Sequence, residues 1–322
     1  MEGKKPRLLS PLMGIFALLI VIMSIILIVE SFFILSQANV FSGMFSDLPA
    51  ASSKVAVIYV EGELITDNVP DGMGYSSSTT IVKHLRDAEA DKSIKAIVLR
   101  VNSPGGTPVA AQEIYSQVNK TSQVKPVVIS MGDIATSAAY YISAPSTKIV
   151  ANPDTFTGSI GVIWTFQNRS SQNEKEGVEY FVAKSGPYKD VGATWRGLND
   201  SEKDYVNAII AQSYGRFVDA VANGRHMDRD EVQRLADGRV YTGQEARDLG
   251  LVDDLGGMYD AIDIAAKLGN VSGKPDVTFV NDPSLYQILF GSEASNNNMT
   301  MLQTSAEGYY QPYYSPYGRI HA

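Results

Sequence analysis

The sequence lacks cysteine and has only three histidines in its 322 residues. Without cysteine the chain cannot form a disulfide, a zinc site with thiolate ligands or a thiol nucleophile. The histidines, His84, His226 and His321, lie far apart in the sequence. A histidine-based metal site or a Ser-His-Asp triad is therefore hard to build, and we expect neither a metal nor another cofactor.

An excess of positive charge is also lacking. Lysine and arginine number 27 against 35 aspartate and glutamate residues, which gives a net charge of −8 at pH 7. Proteins that bind nucleic acids usually carry a basic face, so this balance argues against a nucleic-acid partner. The hydrophobic content of 44% is ordinary for a globular protein.

One long hydrophobic run lies near the N-terminus. The segment from Leu12 to Val29 contains no charged residue, and apolar residues continue after Glu30 to Leu35. At 1.5 Å per residue the uncharged segment alone spans roughly 27 Å, close to the thickness of a bilayer core. Because cleavable signal peptides have shorter apolar regions, residues 12–35 are predicted to be an uncleaved transmembrane signal anchor.

Basic residues precede this anchor and predict its orientation. Lys4, Lys5 and Arg7 lie just before the apolar run, and the positive-inside rule then leaves residues 1–11 in the cytoplasm. The rest of the chain would face the outer side of the cell membrane. The lipid bilayer is therefore an expected partner, bound through the single anchor.

Composition divides the remaining chain into three parts. Residues 36–53 are small and polar and are typical of a linker. Residues 54–291 have the apolar patterning of a folded domain. Residues 292–322 are rich in Ser, Asn, Gln and Tyr, which predicts a disordered tail.

Within the domain, apolar strands alternate with amphipathic helices. This alternation predicts an α/β fold with a largely parallel sheet. The predicted strands are residues 55–60, 96–101, 126–130, 148–151, 178–183 and 277–280. The predicted helices with defined bounds are residues 78–90, 137–143, 200–222, 229–236, 243–249 and 258–267.

Ser137 is the candidate nucleophile. It lies where the predicted strand 126–130 gives way to a helix, and a nucleophile at a helix N-terminus gains from the positive end of the helix dipole. The small residue Ala138 follows, and its backbone N–H could donate to an oxyanion. The alternative is that Ser137, or Thr136 beside it, only caps the helix.

A glycine turn at Asn102–Gly106 follows the neighbouring strand. Glycine allows a tight turn and a close approach of the backbone to a ligand. The N–H of Gly106 could therefore be a second oxyanion donor. The alternative is an ordinary turn between a strand and a helix.

The missing histidine base directs attention to lysine. A Ser-Lys dyad performs the same acyl transfer as a histidine triad, provided that the lysine is held neutral, which burial favours. Lys189 lies in a loop after the predicted strand 178–183, and Lys184 is a nearby rival. Ser159 could orient the amine through its hydroxyl group; the alternative, which the residues alone favour, is a bystander serine in a glycine turn.

Several motifs in order make the chain resemble the signal peptide peptidase A family, in its short single-domain form. The resemblance runs from about Val55 to Lys267. The matching segments are residues 100–106 (RVNSPGG), 130–132 with Ser137 and 140–143, 157–162 (TGSIGV), 184–186 with 188–190, and 237–243 (DGRVYTG).

The resemblance implies a Clp- or crotonase-like α/β fold with repeated ββα units. It also implies that Ser137 is the nucleophile of a Ser-Lys dyad, with Lys189 rather than Lys184 as the base. Ser159 would orient the lysine, and Gly106 would donate to the oxyanion. The chain departs from the family at Ala138, where glycine is usual.

The family's partners follow from the same resemblance. Its substrates are peptides, chiefly signal peptides left in the membrane, and its members assemble as ring-shaped homo-oligomers. Whether the dyad forms within one chain or between neighbours stays open. Two other functions also stay open: a Clp-like membrane protease that cuts one membrane-protein partner, and a catalytically silent scaffold on the same fold.

Overall fold

A computed structural model describes residues 20–31, 53–69, 74–281 and 320–321 of the chain. The chain divides into two compact units, residues 1–52 and 53–322. In the first unit residues 20–31 form helix α1. Much of the predicted anchor 12–35, and most of the predicted linker and tail, lie outside the described residues. Among the described helices, none combines the length and apolar character that a membrane crossing requires.

The second unit contains the remaining elements. Its strands are β1 (Lys54–Glu61), β2 (Glu63–Ile65), β3 (Tyr75–Ser77), β4 (Ile94–Ser103), β5 (Val127–Thr136), β6 (Lys148–Ala151), β7 (Phe156–Gly158), β8 (Ile163–Trp164), β9 (Val240–Thr242), β10 (Asp254–Leu255), β11 (Asp276–Phe279) and β12 (Ile320–His321). Its helices are α2 (Ser78–Ala90), α3 (Pro108–Ser122), α4 (Ala138–Ser143), α5 (Ser170–Glu176), α6 (Asp200–Arg225), α7 (Arg229–Leu235), α8 (Gly243–Asp248) and α9 (Met258–Leu268).

The main sheet has eight strands, and its principal path runs β10-β6-β5-β4-β1-β11. All strand pairs along this path are parallel. Strand β7 extends the sheet beyond the end of β5 in parallel, and β9 pairs with β7 in antiparallel fashion. The predicted α/β class with a parallel-rich sheet is thus confirmed.

The central strands are buried on both faces, which explains their nearly continuous apolar sequences. On one face Ala56 and Ile58 of β1 belong to a cluster with Leu85 of α2. On the other face Val55 and Val57 pack in a second cluster that includes residues of α9. Helices therefore cover both faces of the sheet. A functional site in such a fold lies at the ends of the strands.

One predicted strand is absent. Residues 178–183 adopt no regular structure, and the side chain of Phe181 is 97% exposed. The segment has the β-propensity of a strand, but no strand of the described sheets pairs with it. Without a neighbour to accept its backbone hydrogen bonds, that propensity does not produce a strand.

Candidate active site

Ser137 occupies a strained turn between β5 and α4. Its backbone has φ 56° and ψ −123°, and its side chain makes no capping hydrogen bond to the helix. A non-glycine residue with such a φ is uncommon, and the strain costs about 1–3 kcal/mol. The backbone N–H of Ser137 donates to the Gly158 carbonyl at 2.8 Å. Ser137 thus occupies the N-cap position without a capping hydrogen bond from its side chain, and the hydroxyl group is left for other contacts.

The parallel sheet brings three predicted residues to one edge. Gly106, Ser137 and Ser159 each follow the carboxyl end of a strand, β4, β5 and β7 respectively, and these strands are neighbours. The Thr136 hydroxyl donates to the Pro104 carbonyl at 3.0 Å and ties two of these turns together. Carboxyl ends of adjacent parallel strands are where α/β proteins usually place their sites.

The two glycines of the first turn are required for different reasons. Gly105 has φ 113°, which side chains rarely allow. A Cβ on Gly106 would lie 2.1 Å from the Leu64 carbonyl oxygen. Leu64 donates to the Gly105 carbonyl and accepts from the Thr107 N–H, each at 2.8 Å. Because those bonds lie on either side of Gly106, its own N–H points away from β2, as an oxyanion donor must.

Gly106, Ser137 and Ser159 line one cavity of about 550 Å³. Ser159 has φ 50°, and its N–H donates to the Arg239 carbonyl at 2.8 Å. Ala138 is fully buried as the first residue of α4, a position whose N–H has no partner within the helix. The other lining residues are Glu63, Pro104, Gly105, Gly161, Val162, Ile163, Tyr214, Ala236, Asp237 and Gly238.

Lys189 does not line this cavity. It is exposed and lies in an irregular segment, residues 184–197, which we call the lysine loop. Within the part of the chain that the structure describes, its amine makes no hydrogen bond or ion pair. The structure therefore brings together Gly106, Ser137 and Ser159 but does not bring Lys189 to them within one chain.

Charged residues that the sequence analysis did not assign to the site lie in and beside the lysine loop. Lys184, Asp190, Arg196 and Glu202 form one ion-pair network. Hydrogen bonds from Arg196 hold the pKa values of the Asp190 and Glu202 carboxyl groups below their ordinary range. The sequence does contain a signal for this network, because the four residues are spaced six apart and their charges alternate in sign.

Helix α4 is held rigidly behind Ser137. The buried Tyr140 hydroxyl donates to the Leu251 carbonyl at 2.8 Å, and burial raises the pKa of Tyr140. Tyr141 packs edge-on against Phe217 of α6 with ring centroids 5.0 Å apart. Among the described residues, no group of histidine, aspartate and glutamate side chains could hold a metal ion.

Two family models match the chain. The model of peptidase family S49 matches residues 119–272, and the Clp protease model matches residues 65–154. Together with the nucleophile turn at the edge of a parallel sheet, these matches define a serine-type peptidase with a Clp-like α/β domain.

Similar proteins with protease names support the same assignment. A Synechocystis protein named "Putative protease slr0021" is 41% identical over 68% of this chain and 79% of its own length. Protease 4 of Salmonella typhi is 33% identical over 74% of this chain and 38% of its own. The chloroplastic serine protease SPPA of Arabidopsis thaliana is 33% identical over 67% of this chain and 32% of its own. The chain belongs to peptidase family S49 and is an SppA-type protease.

Proposed function

We propose that the chain is a membrane-anchored endopeptidase with a Ser-Lys dyad, in which Ser137 is the nucleophile and Lys189 the general base. Its substrates are remnant signal peptides and other membrane-associated or extracytoplasmic peptides. The observation that carries the proposal is the strained turn at Ser137, which leaves the hydroxyl uncapped in a cavity shared with Gly106. Strain of this kind accumulates at functional sites.

The reaction is acyl transfer. The Ser137 hydroxyl attacks a peptide carbonyl while the neutral Lys189 amine takes its proton. The N–H groups of Gly106 and Ala138 donate to the oxyanion, each worth on the order of 3 kcal/mol. The lysine ammonium then protonates the leaving amine, and water releases the acyl group from Ser137. Ser159, beside Ser137 in the cavity, orients the amine through its hydroxyl group.

The base comes from a neighbouring subunit of a homo-oligomeric ring. Helix α6 supports this assembly because it keeps the two parts of the site apart within one chain. Glu202, which anchors the lysine loop, precedes the cavity residue Tyr214 by three turns of α6, about 18 Å along the axis. This separation along the helix favours an amine supplied by another subunit.

The bilayer fits the same substrate class. Residues 12–35 would anchor the chain in the cell membrane as a single span with a cytoplasmic N-terminus. Apolar side chains form part of the cavity wall, namely those of Val162, Ile163, Tyr214 and Ala236. An apolar wall suits the hydrophobic region of a signal peptide, which remains in the membrane after cleavage.

Cleavage of a fluorogenic peptide by the full-length chain in detergent tests the dyad. We expect Ser137→Ala and Lys189→Ala each to reduce turnover by 10³-fold or more. Lys184→Ala tests the rival base; since its amine is paired with Asp190 at 2.7 Å, this variant should keep far more activity than Lys189→Ala.

Three other results would contradict parts of the proposed mechanism. Full activity in Ser137→Ala would refute the nucleophile. Activity that survives Lys189→Ala but not Lys184→Ala would move the base to Lys184. A wild type that neither cleaves peptide nor reacts with a serine-directed phosphonate would favour the silent scaffold.

A further inference from the structure

The ion-pair network in the lysine loop is built around Arg196. Its guanidinium lies between two carboxylates, with Nη2 to Asp190 Oδ1 at 2.6 Å and Nη2 to Glu202 Oε1 at 2.6 Å. Nε donates to the second oxygen of Asp190 at 3.0 Å, and Nη1 donates to the second oxygen of Glu202 at 2.7 Å. We call Asp190, Arg196 and Glu202 the lysine clamp.

Burial makes the clamp persistent. The Asp190 and Glu202 side chains are only 8% and 1% exposed. A buried carboxylate that loses its partner is strongly destabilised, because it has given up water without compensation. Arg196 satisfies both groups in bidentate fashion, the geometry in which arginine binds carboxylates best.

The clamp connects the lysine loop to a rigid element. Glu202 lies in the first turn of α6, and its carboxylate also accepts from the Asn199 N–H at 3.0 Å as part of a capping box. The position of Asp190 is therefore fixed relative to the helix. Since Lys189 is the residue before Asp190, the backbone from which its side chain projects is fixed as well.

A second contact holds the other side of Lys189. The ring of Tyr188 packs against that of Tyr205 with centroids 5.1 Å apart, and Tyr205 lies one turn after Glu202 on α6. Both chain neighbours of Lys189 are thus attached to the same end of one helix. The Lys189 N–H also donates to the Gly186 carbonyl at 3.2 Å and closes the turn between them.

The two lysines of the loop, Lys184 and Lys189, differ in their contacts with the clamp. The Lys184 amine pairs with the Asp190 carboxylate at 2.7 Å, which holds it within the loop. The two carboxylates are balanced by Arg196 and Lys184, so the network has no net charge to attract a third cation. Lys189 is left without a carboxylate among the described residues.

We propose that the lysine clamp and the Tyr188–Tyr205 contact are a positioning device for Lys189, which aims its amine at the serine while Lys184 is held in an ion pair. This inference deepens the proposed function and depends on it. Asp190, Arg196 and Glu202 are positioning residues, since they act through Lys189. A displacement of about 1 Å in a reacting group can lower the rate on the order of 100-fold.

The first test replaces Glu202 with glutamine in the full-length chain. Glutamine also serves in a capping box, so Glu202→Gln keeps the start of α6 but removes one charge from the clamp. We expect kcat to fall on the order of 10- to 100-fold with KM unchanged within about twofold. The matched control is Glu245→Gln, which makes the same change in the capping box of α8 and should leave kcat unchanged.

The second test keeps the inference falsifiable if Glu202→Gln fails to fold. The Tyr188 side chain is partly exposed, so its truncation should not unfold the domain. Tyr188→Ala removes the ring contact and should lower kcat without raising KM. Tyr188→Phe preserves the ring and should restore wild-type kcat.

The outcomes separate this inference from the proposed function. If Lys189→Ala is inactive while Glu202→Gln and Tyr188→Ala have wild-type kcat, the positioning device is refuted and the dyad stands. If the variants raise KM at constant kcat, the loop binds substrate, and the inference is also refuted. Full activity in Lys189→Ala would refute the dyad itself.

Discussion

At the scale of single residues, Ser137 shows a conflict between stability and chemistry. Its positive φ is strained for any residue with a Cβ, yet the same turn directs the hydroxyl into the cavity instead of onto the helix. The pattern of a strand followed by small residues was enough to select this serine. It could not reveal the backbone angle, because the angle results from pairing between β5 and β7.

The strain at Ser137 leads to a stability prediction. Glycine tolerates a positive φ, so Ser137→Gly should be more stable than Ser137→Ala by about 1 kcal/mol, although both are inactive. Ser116, inside α3, is the control position, and there the order should reverse, because glycine is disfavoured in a helix by about 1 kcal/mol. Urea unfolding of the four variants measures both differences, and the same order at both positions would contradict the strain.

At the scale of elements, periodicity located most of the domain. The predicted strand 148–151 matches β6 residue for residue. The helix predicted after a cap at Ser78 corresponds to α2, which begins one residue earlier because Ser77 occupies the N-cap position. The predicted strand 126–130 is longer in the structure, because β5 continues to Thr136 to pair with β7. The strand predicted at residues 178–183 is wrong, because a strand needs a neighbouring strand to pair with as well as residues of high β-propensity. The local sequence does not show whether such a neighbour exists.

Helix α6 offers an element-scale prediction, because it carries two glycines in different surroundings. A Cβ on Gly224 would lie 2.2 Å from the Ala144 carbonyl oxygen, just after α4, whereas a Cβ on Gly215 would meet nothing within 4 Å. Gly224→Ala should therefore destabilise the domain by about 1–3 kcal/mol. Gly215→Ala should stabilise it by up to about 1 kcal/mol. Thermal unfolding compares the two, and equal shifts would refute close packing of α6 against α4.

At the scale of the whole molecule, the sequence predicted only part of the candidate site. Gly106 and Ser137 each follow a predicted strand, and adjacent parallel strands end at one edge. Ser159 follows β7, a strand that the sequence did not predict, and only the family resemblance assigned it to the site. The place of Lys189 could not be predicted, since it lies in a loop without the periodicity of a helix or strand. The spacing of Asn199 and Glu202 is typical of a capping box, which the structure contains, but that spacing does not link Glu202 to Arg196 or Asp190.

The proposed assembly predicts that two inactive variants restore activity when they are combined in one ring. If a neighbour supplies the base, Ser137→Ala and Lys189→Ala chains should complement each other when they are mixed, refolded and reassembled. A mixed ring contains interfaces with an intact serine and an intact lysine, so peptide cleavage should return to about a quarter of the wild-type rate at random mixing. Complete inactivity of mixed rings, with assembly verified by their mass, would show that both residues act within one chain.

The position of Lys189 outside the Ser137 cavity also bears on the life of a newly made chain. Many proteases carry a propeptide that blocks the site until they reach their destination. If another copy supplies the amine, as proposed above, the chain needs no such segment, because it is latent while it is alone. Dilution would then switch the enzyme off, and local accumulation in a membrane would switch it on.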